Sequence, residues 1–119
     1  MIRIAIDAMG GDFAPLEQIK GTVQALQNDK EFTAVLCGDE AKIREELAKY
    51  KYDSSRVEIV HAPEIITNDD IPTKAIKEKK NSSTVAAFRE VKEGRADGLV
   101  SSGATGAVLA AGVMMLGRI

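Results

Sequence analysis

Strand and helix signals alternate four times along this chain, and that alternation leaves few architectures open. Ile2-Arg3-Ile4-Ala5-Ile6 reads as a strand bounded by Asp7. Leu16, Ile19, Val23 and Leu26 then recur at spacings of three, four and three, which predicts one inward face of a helix. Pro15 suits the first turn of that helix, and Glu17 complements its dipole. Residues 33–37 form the second apolar run. Asp39 is a predicted N-cap, with Ile43, Leu47 and Tyr50 inward and Glu40–Arg44 and Glu45–Lys49 as i,i+4 ion pairs outside. Residues 56–61 give the third strand. A long loop follows to residue 70, carrying Glu64, Asp69 and Asp70, and Pro72 opens a short helix. Asn81, Ser82 and Ser83 offer caps for another helix, which turns Val85, Phe88 and Val91 inward and closes at Gly94. Residues 96–100 read as a short buried strand, and residues 107–116 as a buried helix, apolar on every side.

Four strand–helix repeats predict an α/β fold: a Rossmann-like three-layer sandwich with a mostly parallel sheet and helices on both faces. Ligands of such sheets bind beyond the carboxyl ends of the strands. The loops there are 7–15, 37–39, 61–72 and 101–106, so two glycine-containing loops are expected on one edge. A last helix that is hydrophobic all round needs neighbours on every face. The sandwich is therefore expected to be incomplete in this chain. Residues 1–119 read as the N-terminal part of a single domain of a longer protein, or as a chain whose last helix a partner subunit covers.

Composition narrows the function. Net charge is −2 and aromatics make up only 4%, against the basic, aromatic-bearing surface of a general nucleic-acid binder. One cysteine, Cys37, admits no internal disulfide and fits a reducing cytoplasm. With one His besides, a zinc site built from those ligands is not expected, and no metal or cofactor is called for. The first residues lack the charged and apolar regions of a signal peptide. The apolar run near residue 110 falls short of the roughly 20 residues of a membrane span.

Ser101-Ser102-Gly103-Ala104-Thr105-Gly106 stands at a strand-to-helix turn. Small residues let a ligand approach the backbone, a helix start leaves N–H groups free, and Ser102 and Thr105 add hydroxyl donors. The turn suits a phosphate or carboxylate, or else close packing alone. Asp7 and Asp12 flank Gly10-Gly11, either to position a ligand or as ordinary strand-end and helix-cap residues. Lys74, Lys77, Lys79 and Lys80 form a cationic run before Ser82 and Ser83, suited to phosphate or an acidic partner, or to a solvated helix end. His61 reads as a strand-end histidine before a general base, Cys37 as packing, and Met114-Met115 as core or interface. G-x-G-x-x-G, G-x-x-x-x-G-K-[ST] and G-x-S-x-G are all missing, which argues against a dehydrogenase, a P-loop enzyme or a serine hydrolase.

Three segments together carry a resemblance. Ile4-Ala5-Ile6-Asp7-Ala8-Met9-Gly10-Gly11-Asp12 with Ala14-Pro15 resembles the opening signature of the bacterial phosphate acyltransferases. Pro72-Thr73-Lys74-Ala75-Ile76 with Lys79-Lys80-Asn81-Ser82-Ser83 resembles their second segment, and Ser101 to Ala107 the third, with Gly117-Arg118-Ile119 in the expected place. The departures are Ser102 for an alanine, Ala104 for an asparagine and Phe13 for a histidine. The first of these adds a hydroxyl. The others remove an amide and an imidazole from the expected site.

The resemblance implies acyl transfer from acyl-acyl carrier protein to inorganic phosphate, giving acyl phosphate for phospholipid synthesis. It implies acyl carrier protein and phosphate as partners, a homodimer, and a cytoplasmic protein loosely associated with the membrane. The expected phosphate and substrate residues are Asp7, Gly10, Gly11, Asp12, Ser82, Ser83, Ser102, Gly103, Thr105 and Gly106. Lys79, Lys80 and Thr105 are candidates for the catalytic step. Two other readings stay open: a phosphate acetyl- or butyryltransferase using coenzyme A thioesters, and a non-catalytic anion-binding or assembly module.

Overall fold

Along Ile2–Asp7 (β1), which pairs with a strand on each side, Ile2, Ile4 and Ile6 alternate with Arg3, Ala5 and Asp7, so one face is apolar and the other carries one small apolar residue between two charged ones. A computed structural model describes residues 1–117; Arg118 and Ile119 lie outside the described residues. Phe32–Gly38 (β2) and Gly98–Val100 (β4) flank β1, and Val57–His61 (β3) pairs with β2. The sheet order is β3-β2-β1-β4 and every pairing is parallel. The expected α/β sandwich is therefore observed.

Leu16–Asn28 (α1) and Glu40–Leu47 (α2) cover one face, burying Ile19, Val23, Ile43 and Leu47 against Ala8 and Leu36. Ser83–Lys92 (α4) covers the other, where Ala86 and Ala87 let the helix close on Ala5, Val35 and Cys37. Pro72–Glu78 (α3) and Thr105–Ala111 (α5) pack outside α4 around Phe88, Ile76, Ala107 and Ala111.

Local chemistry sets the element ends. Asp39 accepts from the Lys42 N–H and Ser82 Oγ from the Val85 N–H, both N-caps as expected. Glu40 and Arg44 form their i,i+4 pair. Lys49 differs: it bonds Glu46, not Glu45, at 2.9 Å, because α2 ends at Leu47 and the chain beyond it tightens. Tyr50 lies past that end yet still packs on the α1–α2 core. Pro15 stands just before α1 rather than in its first turn, and Leu16 is exposed because only Ile19, Val23 and Leu26 face the sheet.

The larger differences fall at one edge. β4 is short and Val100 is 56% exposed, although a buried strand was expected. Among the described residues no strand pairs with its outer side. The last helix is also not buried. Regular α-helix ends at Ala111, and Gly112–Leu116 continues as a π-helical turn. Ala107 and Ala111 are buried, while Leu109 is 69% exposed and Val113, Met114 and Leu116 are open as well. Apolar residues all round the helix record a need for neighbours that the described residues meet on one side only.

Candidate functional site

β1 and β4 are neighbours whose connections leave in opposite directions across the sheet. α1 carries the chain from β1 toward β2 and β3, and α4 brings it back to β4. Strand order reverses there, and the carboxyl ends of the two strands splay their loops apart into a crevice. The 7–12 and 101–105 loops meet at this point.

Asp7 holds them together. Its carboxylate is 1% exposed, and Oδ2 accepts from Thr84 Oγ1 at 2.7 Å and from Ser101 Oγ at 2.8 Å. Ser101 Oγ in turn accepts from the Gly103 N–H at 3.1 Å. One carboxylate thus links the end of β1, the first turn of α4 and the turn before α5. Asp7 Oδ1 is buried with no hydrogen-bond partner among the described residues. A lone buried carboxylate oxygen is costly, and such groups concentrate where function requires them.

Gly10 is required by this contact. A Cβ there would come within 2.7 Å of Asp7 Oδ2 and 2.8 Å of the Gly103 backbone, closer than atoms approach. Gly11 has φ +107°, a conformation other residues avoid. Gln18 Nε2 donates to the Gly10 carbonyl and ties the loop to α1.

In front of the junction lies a cavity of about 350 Å³. One wall is Met9, Gly11 and Asp12, the second is Ser102, Gly103, Ala104 and Thr105, and the third is Ile65, Ile66, Thr67 and Asn68. Its polar groups are hydroxyls, one amide, one carboxylate and backbone. Asp12 is the single ionisable side chain among the lining residues.

Of the residues expected at the site, Asp7, Gly10, Gly11, Asp12, Ser102, Gly103 and Thr105 are brought together. Asp12 is exposed at the cavity and gives α1 no side-chain cap. The Gly103 N–H is already bonded within its own turn. Gly106 faces α3, where a Cβ would lie 2.9 Å from Pro72 Cγ. Ser82 and Ser83 are buried at the start of α4 and do not line the cavity. Lys79 Nζ donates to the Ile65 carbonyl and to Asp70 Oδ2, both at 2.9 Å. Lys80 is exposed, away from the cavity wall, and its carbonyl accepts from Arg89. Phe13 is 72% exposed.

Two other readings are settled by contacts. His61 Nδ1 accepts from the Glu40 N–H at 3.1 Å, capping the start of α2. Burial pushes the Cys37 thiol up to about 12, which leaves it an inert core group.

Thr84, Thr67 and Asn68 were not singled out from sequence. Thr84 lies 77 positions from Asp7, so no spacing marks the pair. Ser101 belonged to the small-residue turn, but its role depends on a carboxylate 94 positions away.

Comparison with known proteins shows the family of this chain. Residues 2–119 match the family described as "Fatty acid synthesis protein". A relative named phosphate acyltransferase from Dictyoglomus thermophilum is 48% identical over 99% of this chain and 35% of its own length. One from Streptococcus equi is 50% identical over all of this chain and 34% of its own. One from Clostridioides difficile is 45% identical over 99% and 34%. The chain spans about a third of the length of the curated relatives it matches. A match over residues 2–119, with relatives near half identity along the same stretch, means that the chain belongs to the fatty acid synthesis protein family.

Proposed function

We propose that the protein of which this sequence forms part transfers an acyl group from acyl-acyl carrier protein to inorganic phosphate. The product, an acyl phosphate, would serve phospholipid synthesis. The observation that carries this reading is the hydroxyl-lined cavity at the strand-order reversal, in a chain whose relatives are named phosphate acyltransferase.

The chemistry asks little of the side chains. Phosphate is itself the nucleophile, so no activated serine or cysteine is required. A phosphate oxygen attacks the thioester carbonyl, the tetrahedral intermediate carries its negative charge on the former carbonyl oxygen, and the C–S bond breaks to release the carrier thiolate, which takes up a proton. Holding the two reactants together supplies part of the barrier reduction. A donor aimed at the developing oxyanion supplies about 3–4 kcal/mol. In this reading the Ser102 and Thr105 hydroxyls hold the phosphate, and the Asp7–Ser101–Gly103 relay fixes the loop that carries them.

The test is thiol release in the full-length protein, with phosphate titrated. Wild type is expected to release thiol from acyl-acyl carrier protein in proportion to phosphate occupancy. Thr105→Val should raise KM for phosphate about tenfold, the loss of one hydrogen bond to a charged group. Release independent of phosphate would contradict the reading. Equal turnover of coenzyme A thioesters would reassign the donor.

A further inference from the structure

The loop at residues 64–70 forms one wall of the cavity, and its anchorage is more extensive than a surface loop needs. At its start the Glu64 N–H donates to the Asn81 carbonyl at 3.1 Å, and the Glu64 carbonyl accepts from the Ser83 N–H at 3.2 Å. Glu64 Oε1 accepts from the Asn81 N–H as well. Ile66 is then buried against α3, α4 and α5. At the far end Asp70 Oδ2 accepts from the Thr67 N–H at 2.8 Å and from Lys79 Nζ at 2.9 Å. These contacts, the Thr67 N–H first and Lys79 next, hold the Asp70 carboxyl below the usual carboxylate range. Lys79 also reaches back to the Ile65 carbonyl, so one ammonium bridges both ends of the 65–70 stretch.

An ammonium has three donors, and two of them are spent on this loop. Lys79 sits at the C-terminus of α3 and is not on the cavity wall. Between the anchors stand Thr67 and Asn68, facing the cavity opposite Ser102 and Thr105. Thr67 Oγ1 already accepts from the Asp69 N–H. Asn68 is exposed and carries the single side-chain amide among the lining residues, with both a donor and an acceptor.

We propose that Lys79 is a positioning residue that clamps residues 65–70 as the third wall of the cavity and so presents the Asn68 amide to the phosphate or the thioester. This rests on the acyl-transfer reading above. A wall fixed before the substrate arrives avoids the entropy of ordering it on binding.

Five variants of the full-length protein test it: Lys79→Met, Asp70→Asn, the double variant of those two, Lys79→Arg and Asn68→Ala. KM for phosphate, KM for the acyl donor, kcat and amide hydrogen exchange over 64–70 are measured. Lys79→Met and Asp70→Asn are each expected to raise one of the two KM values about five- to tenfold, a lost charge-assisted bond. The double variant should do no more than either alone, and exchange should quicken in all three. Lys79→Arg should restore most of the loss. Asn68→Ala should raise the same KM with exchange unchanged. A rise in phosphate KM for Lys79→Met alone, with Asp70→Asn and exchange unaffected, would place the ammonium on the anion and overturn the proposal. An unchanged KM for Asn68→Ala would overturn the role of the amide. If wild type transfers nothing to phosphate, the acyl-transfer reading fails by itself. The exchange comparison still decides whether Lys79 holds the loop.

Discussion

Asp7 shows how much one residue can fix. Its Oδ2 accepts two hydroxyls from segments far apart in the chain, and it sits against the Gly10–Gly103 contact. Replacing Thr84 by Val keeps the shape and removes one donor to a buried carboxylate. The expected loss is about 1.5–3 kcal/mol in urea unfolding, with Thr84→Ser recovering most of it. Asp7, Gly10 and Gly11 stood out in the sequence because a carboxylate and two glycines follow an apolar run. Their partners did not, because a hydrogen bond across 77 positions leaves no periodic trace. Ser82 and Ser83 show the converse. A serine pair before an apolar run reads equally as a cap or as a ligand; both are buried, and the bond from the Val85 N–H shows Ser82 as the cap.

Between elements, two arginines add polar fastening to strand pairing and apolar packing. Arg56 is buried just before β3 and donates to the Leu26 carbonyl at 2.9 Å, the Phe32 carbonyl at 3.1 Å and the Asp29 carbonyl. It thereby caps the end of α1 and stacks over the Phe32 ring. Arg56→Ala is expected to cost about 2–4 kcal/mol in chemical denaturation, since three carbonyls lose a charged donor. Arg56→Lys should regain only part, because an ammonium lacks the fork. Arg3 on β1 pairs with Glu58 on β3 across the middle strand. That bond to Arg3 holds the Glu58 carboxyl below its usual range. A depressed folded value means the contribution is full above the unfolded value of about 4.3 and is lost as pH falls through the lower folded one. Comparing wild type with Glu58→Gln, unfolding free energies should differ by at most about 1 kcal/mol near neutrality, because the pair is solvent-screened. The two should converge in acid. Strands and caps were legible in the sequence because they depend on neighbours a few residues away. The exposure of β4 and the last helix was not, because an apolar run records a need for neighbours and not how many of them are present.

For the whole molecule, parallel order β3-β2-β1-β4 places the strand reversal where the two glycine-bearing loops meet. The repeated strand–helix pattern put both loops on one edge of a mostly parallel sheet, while the strand order and its reversal come from the structure alone. The 61–72 loop was placed on that edge, but residues 65–68 were not marked as a wall of the site, because a loop of ordinary composition becomes part of a site only through its anchorage. The chain's relatives are about three times as long, and the open β4 edge and exposed α5 face lie beside the site. Phosphorus NMR of the full-length protein with acyl-acyl carrier protein and phosphate tests the central claim most directly. The account predicts an acyl phosphate resonance growing in step with released thiol and losing phosphate signal in equal measure. Thiol release with free fatty acid and an unchanged phosphate signal would mean that water, not phosphate, attacks in this cavity, and would contradict it.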